Sequence, residues 1–122
     1  MPLVDAAAVN RVAPDATKLA RLSSAQGRQL AYAFAETGED EVLACFLFEA
    51  GGAFREDPAT GLACANLGGW YLATGAAVPL ARRVYQGERV HRPSELLLSV
   101  DRARTVRVGG TVVALGHGEV AL

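Results

Sequence analysis

The stretch "REDPATGLACANLGGW", Arg55–Trp70, decides the fold. Its head reads as a helix start, with Asp57 as the capping residue and Pro58 as the first helical one. Aspartate accepts from the free amides that follow it, and proline gives up no amide that the helix needs. From there to Thr74 the only polar groups are Thr60, Asn66 and the hydroxyl of Tyr71. A helix that is apolar all round is expected to be buried all round. This one is shorter than the roughly 20 residues of a membrane span, so strands of the same chain must cover it. Gly61, Gly68 and Gly69 each cost the helix about 0.5–1 kcal/mol relative to alanine, which points to close approach of strands. The predicted fold is α+β: a curved, barrel-like, mostly antiparallel sheet wrapped around one buried central helix.

The flanking sequence supplies the strands. "RQLAYAFAE" (28–36) alternates, with Leu30, Tyr32 and Phe34 on one face and alanines on the other. "EVLACFLFEA" (41–50) is apolar on both faces and predicts a strand covered on both. The glycines at 51–52 break it. After the helix, Gly75 and Pro79 are stop signals, and a β-meander follows. Its strands are predicted near 80–90, 95–101, 104–108, 111–115 and 118–122. The glycines at 109–110 mark a tight hairpin and "GHG" (116–118) another turn. Pro93 belongs at a strand start or an edge. Upstream, "DAAAVNRV" (5–12) predicts a short helix capped by Asp5 and interrupted by Pro14. "ATKLARLSSAQ" (16–26) predicts an amphipathic helix.

Composition narrows the classes. The chain has 122 residues, half of them apolar and a fifth charged, with a formal net charge of −1. That is one domain with enough chain for a core, and it lacks the field that steers nucleic acid. Arg82, Arg83, Arg89, Arg92, Arg102, Arg104 and Arg107 alternate along strands and read as solvated sheet faces. Neither a secretory leader nor a membrane-length apolar run is apparent, so a soluble, cytoplasmic domain is expected. Cys45 and Cys64 lie in apolar runs and read as reduced core thiols. Trp70 and Tyr71 read as core. His91 and His117 stand alone in loops, so neither a metal nor a cofactor is expected.

The helix head is where chemistry is expected. It offers the amides of Ala59, Thr60 and Gly61 and the positive end of the dipole, a place for a carboxylate. Gly61 lets a ligand reach the backbone, and Glu56 and Asp57 stand beside it as acid–base groups.

"EDPATG" followed by a small-residue helix resembles the hallmark of the phenazine-biosynthesis (PhzF-like) isomerase family, which has a diaminopimelate epimerase-like fold. "YQGERVHRPSELLLSV" (85–100) and "VRVGGTVVALGHGEVAL" (106–122) resemble later segments of the same family. The resemblance runs from about Gln29 to the end and covers the C-terminal lobe only. It implies a cleft enzyme of two similar lobes, in which a glutamate of the N-terminal lobe moves the proton; no segment here matches that lobe. By position it implies Asp57 as the catalytic aspartate and Thr60 and Gly61 as substrate-binding. Two positions depart from the family pattern: Leu62 stands where a serine usually helps hold substrate, and His91 where a glycine is usual. Two functions are therefore expected in competition. In one, the chain supplies half of a proton-transfer site for a small carboxylate metabolite, completed by a separate N-terminal lobe. In the other, it is a non-catalytic lobe that binds ligand or forms a homodimer.

Overall fold

The computed structural model describes residues 1–15, 17–18, 30–51 and 53–119. Its elements are α1 (Ala6–Asn10), β1 (Leu30–Glu36), β2 (Glu41–Ala50), β3 (Ala53–Asp57), α2 (Gly61–Ala73), β4 (Leu80–Gln86), a 3-10 turn at Glu88–Val90, β5 (Ser94–Val100) and β6 (Val106–Gly110). The strands form one six-stranded sheet of order β1-β2-β4-β5-β6, with β3 paired to β2. Every pairing is antiparallel except β2 with β4. The class is α+β, as predicted. Among the described residues no helix is long and apolar enough to cross a membrane.

β2 carries the architecture, and its two-sided apolar pattern is explained by a helix on each face. Val42 and Ala44 pack with Phe34, Cys64, Leu67, Tyr71, Val84 and Leu98 in the core under α2. Leu43, Cys45 and Leu47 pack with Val9 and Ala35 under α1. The alanine face of β1 leaves room for α1. That helix is capped as expected, the Asp5 carboxylate accepting from the Ala8 amide at 2.7 Å. α2 ends near its predicted stop, with Thr74 as its last cap and Gly75 at φ +81°.

The barrel-like wrapping is corrected. The sheet is open, and α2 lies on one face of it. Ala63, Cys64, Leu67, Gly68 and Tyr71 turn inward, while Gly61, Leu62, Asn66, Gly69 and Ala73 are exposed. The segments expected to close the barrel do not do so. The glycines at 109–110 are not a hairpin: they end β6, opposite Leu97 and Leu96. Neither has the positive φ that such a two-residue turn requires. Residues 111–119 run on as irregular, exposed chain, where strands at 111–115 and from 118 were predicted. The strand predicted over 80–90 stops at Gln86. β3 was not predicted at all.

The role given to the helix glycines is also narrower than expected. A Cβ on Gly68 would lie 2.6 Å from a Val106 methyl, so here helix and strand do touch. A Cβ on Gly61 or Gly69 would meet nothing within 4 Å. The amphipathic pattern at 16–26, the start of β1 at 28–29, Gly52 and the end of the chain from 120 lie outside the described residues.

Candidate functional site

Two strands approach one another along a single edge of β2. β4 pairs in parallel with Glu41–Leu43, and β3 pairs antiparallel with Phe46–Ala50. Their C-terminal ends, Gln86 and Asp57, therefore meet beside the middle of β2, under the head of α2. Gln86 is fully buried, and its Nε2 donates to the Asp57 carbonyl at 2.6 Å and to Thr60 Oγ1 at 3.2 Å. The Thr60 hydroxyl in turn donates to the Asp57 carboxylate. Gln86 Oε1 is buried without a hydrogen-bond partner.

The segment after Gln86 also fits against this head. Gly87 has φ +86°, and a Cβ there would lie 2.4 Å from the Arg92 carbonyl and 2.8 Å from that of Pro58. Only glycine suits both the angle and the space. His91, also at positive φ, is an exposed residue ending the 3-10 turn.

The helix start differs from its sequence reading. Asp57 is the last residue of β3 and does not cap α2; Thr60 is the N-cap, and its side chain makes no cap hydrogen bond because it serves Asp57. The first intrahelical bond runs from the Cys64 amide to the Thr60 carbonyl, 3.0 Å. The amides of Gly61, Leu62 and Ala63 are thus the free donors of the first turn, two residues further on than expected. Two open grooves lie at this end of the sheet, one reaching Asp57 and the other Gly61. One, of about 560 Å³, is lined by Leu30, Phe46, Phe48, Glu49, Ala50 and Asp57. The other, of about 520 Å³, includes Ala59, Gly61, Ser94 and Gly109–Thr111. Leu62 is 77% exposed at this head.

Strand alternation separates the two acids that the sequence sets side by side. Asp57 lies opposite Phe46 and Glu56 opposite Leu47, so they point to opposite faces of the sheet. Glu56 is buried on the α1 side, its carboxylate 3.4 Å from Arg89 Nε. Arg89 also donates to the Val12 carbonyl at 3.0 Å and to Cys45 Sγ at 3.5 Å. Burial, and then the Glu56 charge, push the Cys45 thiol up to about 12. Burial alone pushes Cys64 up to about 11. Both are free, buried thiols, as expected.

At the far end of α2, Tyr71 is core and its hydroxyl donates to Glu36 at 2.9 Å. Trp70 packs edge-on against Phe34. Arg82, Arg83 and Arg107 pair with Asp40, Glu41 and Asp101. Among the described residues no group of three His, Cys, Asp or Glu is placed to hold a metal ion.

Of the site residues expected from the sequence, Asp57 and Thr60 are joined by a hydrogen bond and Gly61 follows as the first residue of α2. Sequence reasoning missed Gln86 and Gly87, which fit against this head, and Arg89, which holds Glu56 on the other face. The signal was present in "YQG", within a segment read as continuous strand.

The phenazine biosynthesis-like protein family (PhzC-PhzF) matches residues 1–118 of the chain. A curated relative, an uncharacterized isomerase of Pasteurella multocida, is 51% identical over 73 residues. Those residues are 60% of this chain and 25% of the relative, so the match spans about a quarter of the relative's length.

Proposed function

The chain belongs to the phenazine biosynthesis-like (PhzC-PhzF) family, and on that premise we propose that it supplies half of a proton-transfer site for a small carboxylate metabolite in the cytoplasm. The observation that carries the reading is the head of α2, where the Asp57 carboxylate stands beside three free amides. The amides of Gly61, Leu62 and Ala63 receive the substrate carboxylate at the positive end of the helix. Thr60 and Gln86 fix Asp57, which orients or relays the proton. The opposing base comes from an N-terminal lobe of the kind the family resemblance implies. Leu62 puts no hydroxyl at the position where the family usually carries serine, so substrate is held by backbone rather than by that side chain.

The test mixes this chain with the separately produced N-terminal lobe of a full-length relative and follows solvent deuterium into carboxylate substrates. Exchange by the pair, lost in Asp57→Asn, is the expected result. No exchange by the pair, or exchange that Asp57→Asn leaves unchanged, overturns the reading.

A second reading rests on a different observation. Leu62, Val112, Val113 and Leu115 are large apolar residues left exposed, the residue type that interaction surfaces gather. We infer from them a lobe that self-associates as a two-fold homodimer, with or without catalysis. Sedimentation giving a monomer at every concentration would count against it.

A further inference from the structure

Among the described strands β3 pairs with β2 alone. Its last residue, Asp57, therefore takes its sideways position from the turn that follows β4. That turn grips residues 56–60 at three places. Gln86 Nε2 donates to the Asp57 carbonyl at 2.6 Å. Gly87 lies against the Pro58 carbonyl with no room for a side chain. Arg89 Nε stands 3.4 Å from the Glu56 carboxylate. The first hold is on the α2 side of the sheet and the third is on the opposite side.

Arg89 is itself anchored to the body of the molecule. It donates to the Val12 carbonyl at 3.0 Å and to Cys45 Sγ of β2 at 3.5 Å. One planar guanidinium thus joins the segment after α1, β2 and β3. Lysine, with a single nitrogen at its tip, cannot hold all three together. Glu56 Oε2 is buried and, among the described residues, accepts no hydrogen bond, so the guanidinium charge is what offsets its burial. Nor does Arg89 ride on a loose loop. The Gly87 carbonyl accepts from the Val90 and Arg92 amides at 3.3 and 3.0 Å, and the Glu88 carbonyl from that of His91 at 3.1 Å. The turn is closed on itself, and Gln86, Gly87 and Arg89 are held as one piece.

We propose that Arg89 is a positioning residue for Asp57. Acting through Glu56 from behind the sheet, it sets where the Asp57 carboxylate stands relative to the free amides of α2. The inference rests on the proton-transfer reading above and extends its site to a face that substrate does not touch. The two halves of that site ride on different elements: the amides belong to α2 and Asp57 to β3. A β3 that loses its rear hold misplaces the carboxylate and leaves the amides where they were. Binding and chemistry should therefore separate.

The experiment compares Arg89→Gln and Arg89→Lys with the wild type in the two-lobe pair, at a temperature where circular dichroism shows each chain folded. Solvent deuterium exchange is followed against substrate concentration. Arg89→Gln is expected to lower kcat by on the order of tenfold or more, because a small misplacement of a reacting group is costly. KM is expected to stay within about twofold, because the amides that hold the carboxylate are untouched. Arg89→Lys keeps the charge but not all three contacts and is expected to fall between; it carries the test if Arg89→Gln does not fold. A second measurement needs no activity. In proton–nitrogen correlation spectra of the chain alone, the Asp57 and Thr60 amide signals are expected to move in either variant. A pair that exchanges, and whose folded Arg89 variants keep the wild-type kcat, overturns the inference and leaves the proton-transfer reading standing. A wild-type pair that does not exchange overturns that reading. In that case Asp57 and Thr60 signals that stay in place overturn the inference as well, and signals that move uphold the placement of Asp57 by Arg89.

Discussion

Glu56 and Asp57 are neighbours in sequence and strangers in the fold. Both are carboxylates at the end of β3, and alternation sends them to opposite faces of the sheet. Glu56 is buried, its side chain 5% exposed, against Arg89 beneath α1. Asp57 sits at the head of α2 among free amides and open grooves. The same chemical group thus serves the scaffold on one face and is available to a ligand on the other. Environment separates the roles, and the strand period assigns the environment.

The comparison breaks most easily at Glu56. Glu56→Ala leaves Arg89 without its carboxylate and is expected to cost about 3 kcal/mol, the lower end for a broken buried pair because Arg89 is partly exposed. Urea denaturation measures it, and a cost as small as that of a surface mutation would mean that the pair is not structural. Gly87→Ala comes next, at about 1–3 kcal/mol, since it forces a side chain onto a left-handed backbone and against the Pro58 and Arg92 carbonyls. Its chemical-shift changes should gather at residues 57–61. Gln86→Leu removes the donor to the Asp57 carbonyl and is expected to cost about 1–2 kcal/mol. Asp57→Asn sits at the other end of the comparison, with a stability change of about 1 kcal/mol or less, because the asparagine oxygen can still accept from Thr60, while proton exchange by the two-lobe pair is lost. If Asp57→Asn destabilised as much as Glu56→Ala, the division of roles would fail.

A pH measurement sharpens the same contrast. Cys45, beside Glu56, holds its proton to about 12 in the folded chain, and Cys64 to about 11. Unfolded thiols release theirs near 8.5. Between these values the unfolded chain binds fewer protons than the folded one, so stability should fall as pH rises from about 9 through 11. Neutral solution lies below this window. There, an alkylating reagent should label neither thiol until the chain unfolds.

Much of the fold was legible because periodicity and burial agree. β1, β2, β5 and the body of α2 follow from apolar spacing, and α1 from Asp5. The head of α2 was legible as a site through "EDPATG", but not in its geometry. β3 is five residues, AFRED, with a polar C-terminal half and a weak alternation, and it is held by pairing with β2 rather than by its own pattern. Once β3 claims Asp57, the helix has to begin later, at Gly61. The barrel reading failed for a related reason. Apolarity all round α2 was taken to require cover on every side, yet its outer residues are largely small, with Leu62 the large exception. Gln86 was illegible as a support because its partners, Asp57 and Thr60, are 29 and 26 residues away.

The meeting of β3 and β4 on one edge of β2 also bears on how faithfully the chain folds. A slip of β3 by one residue along β2 would exchange its two faces. Glu56 would then stand at the head of α2, and Asp57 would turn toward Arg89. The bond from Gln86 to the Asp57 carbonyl opposes that slip, because it fixes the point at which β3 stops. One buried amide thus proofreads the sheet: the register that seals the scaffold is also the register that delivers the right carboxylate to the site.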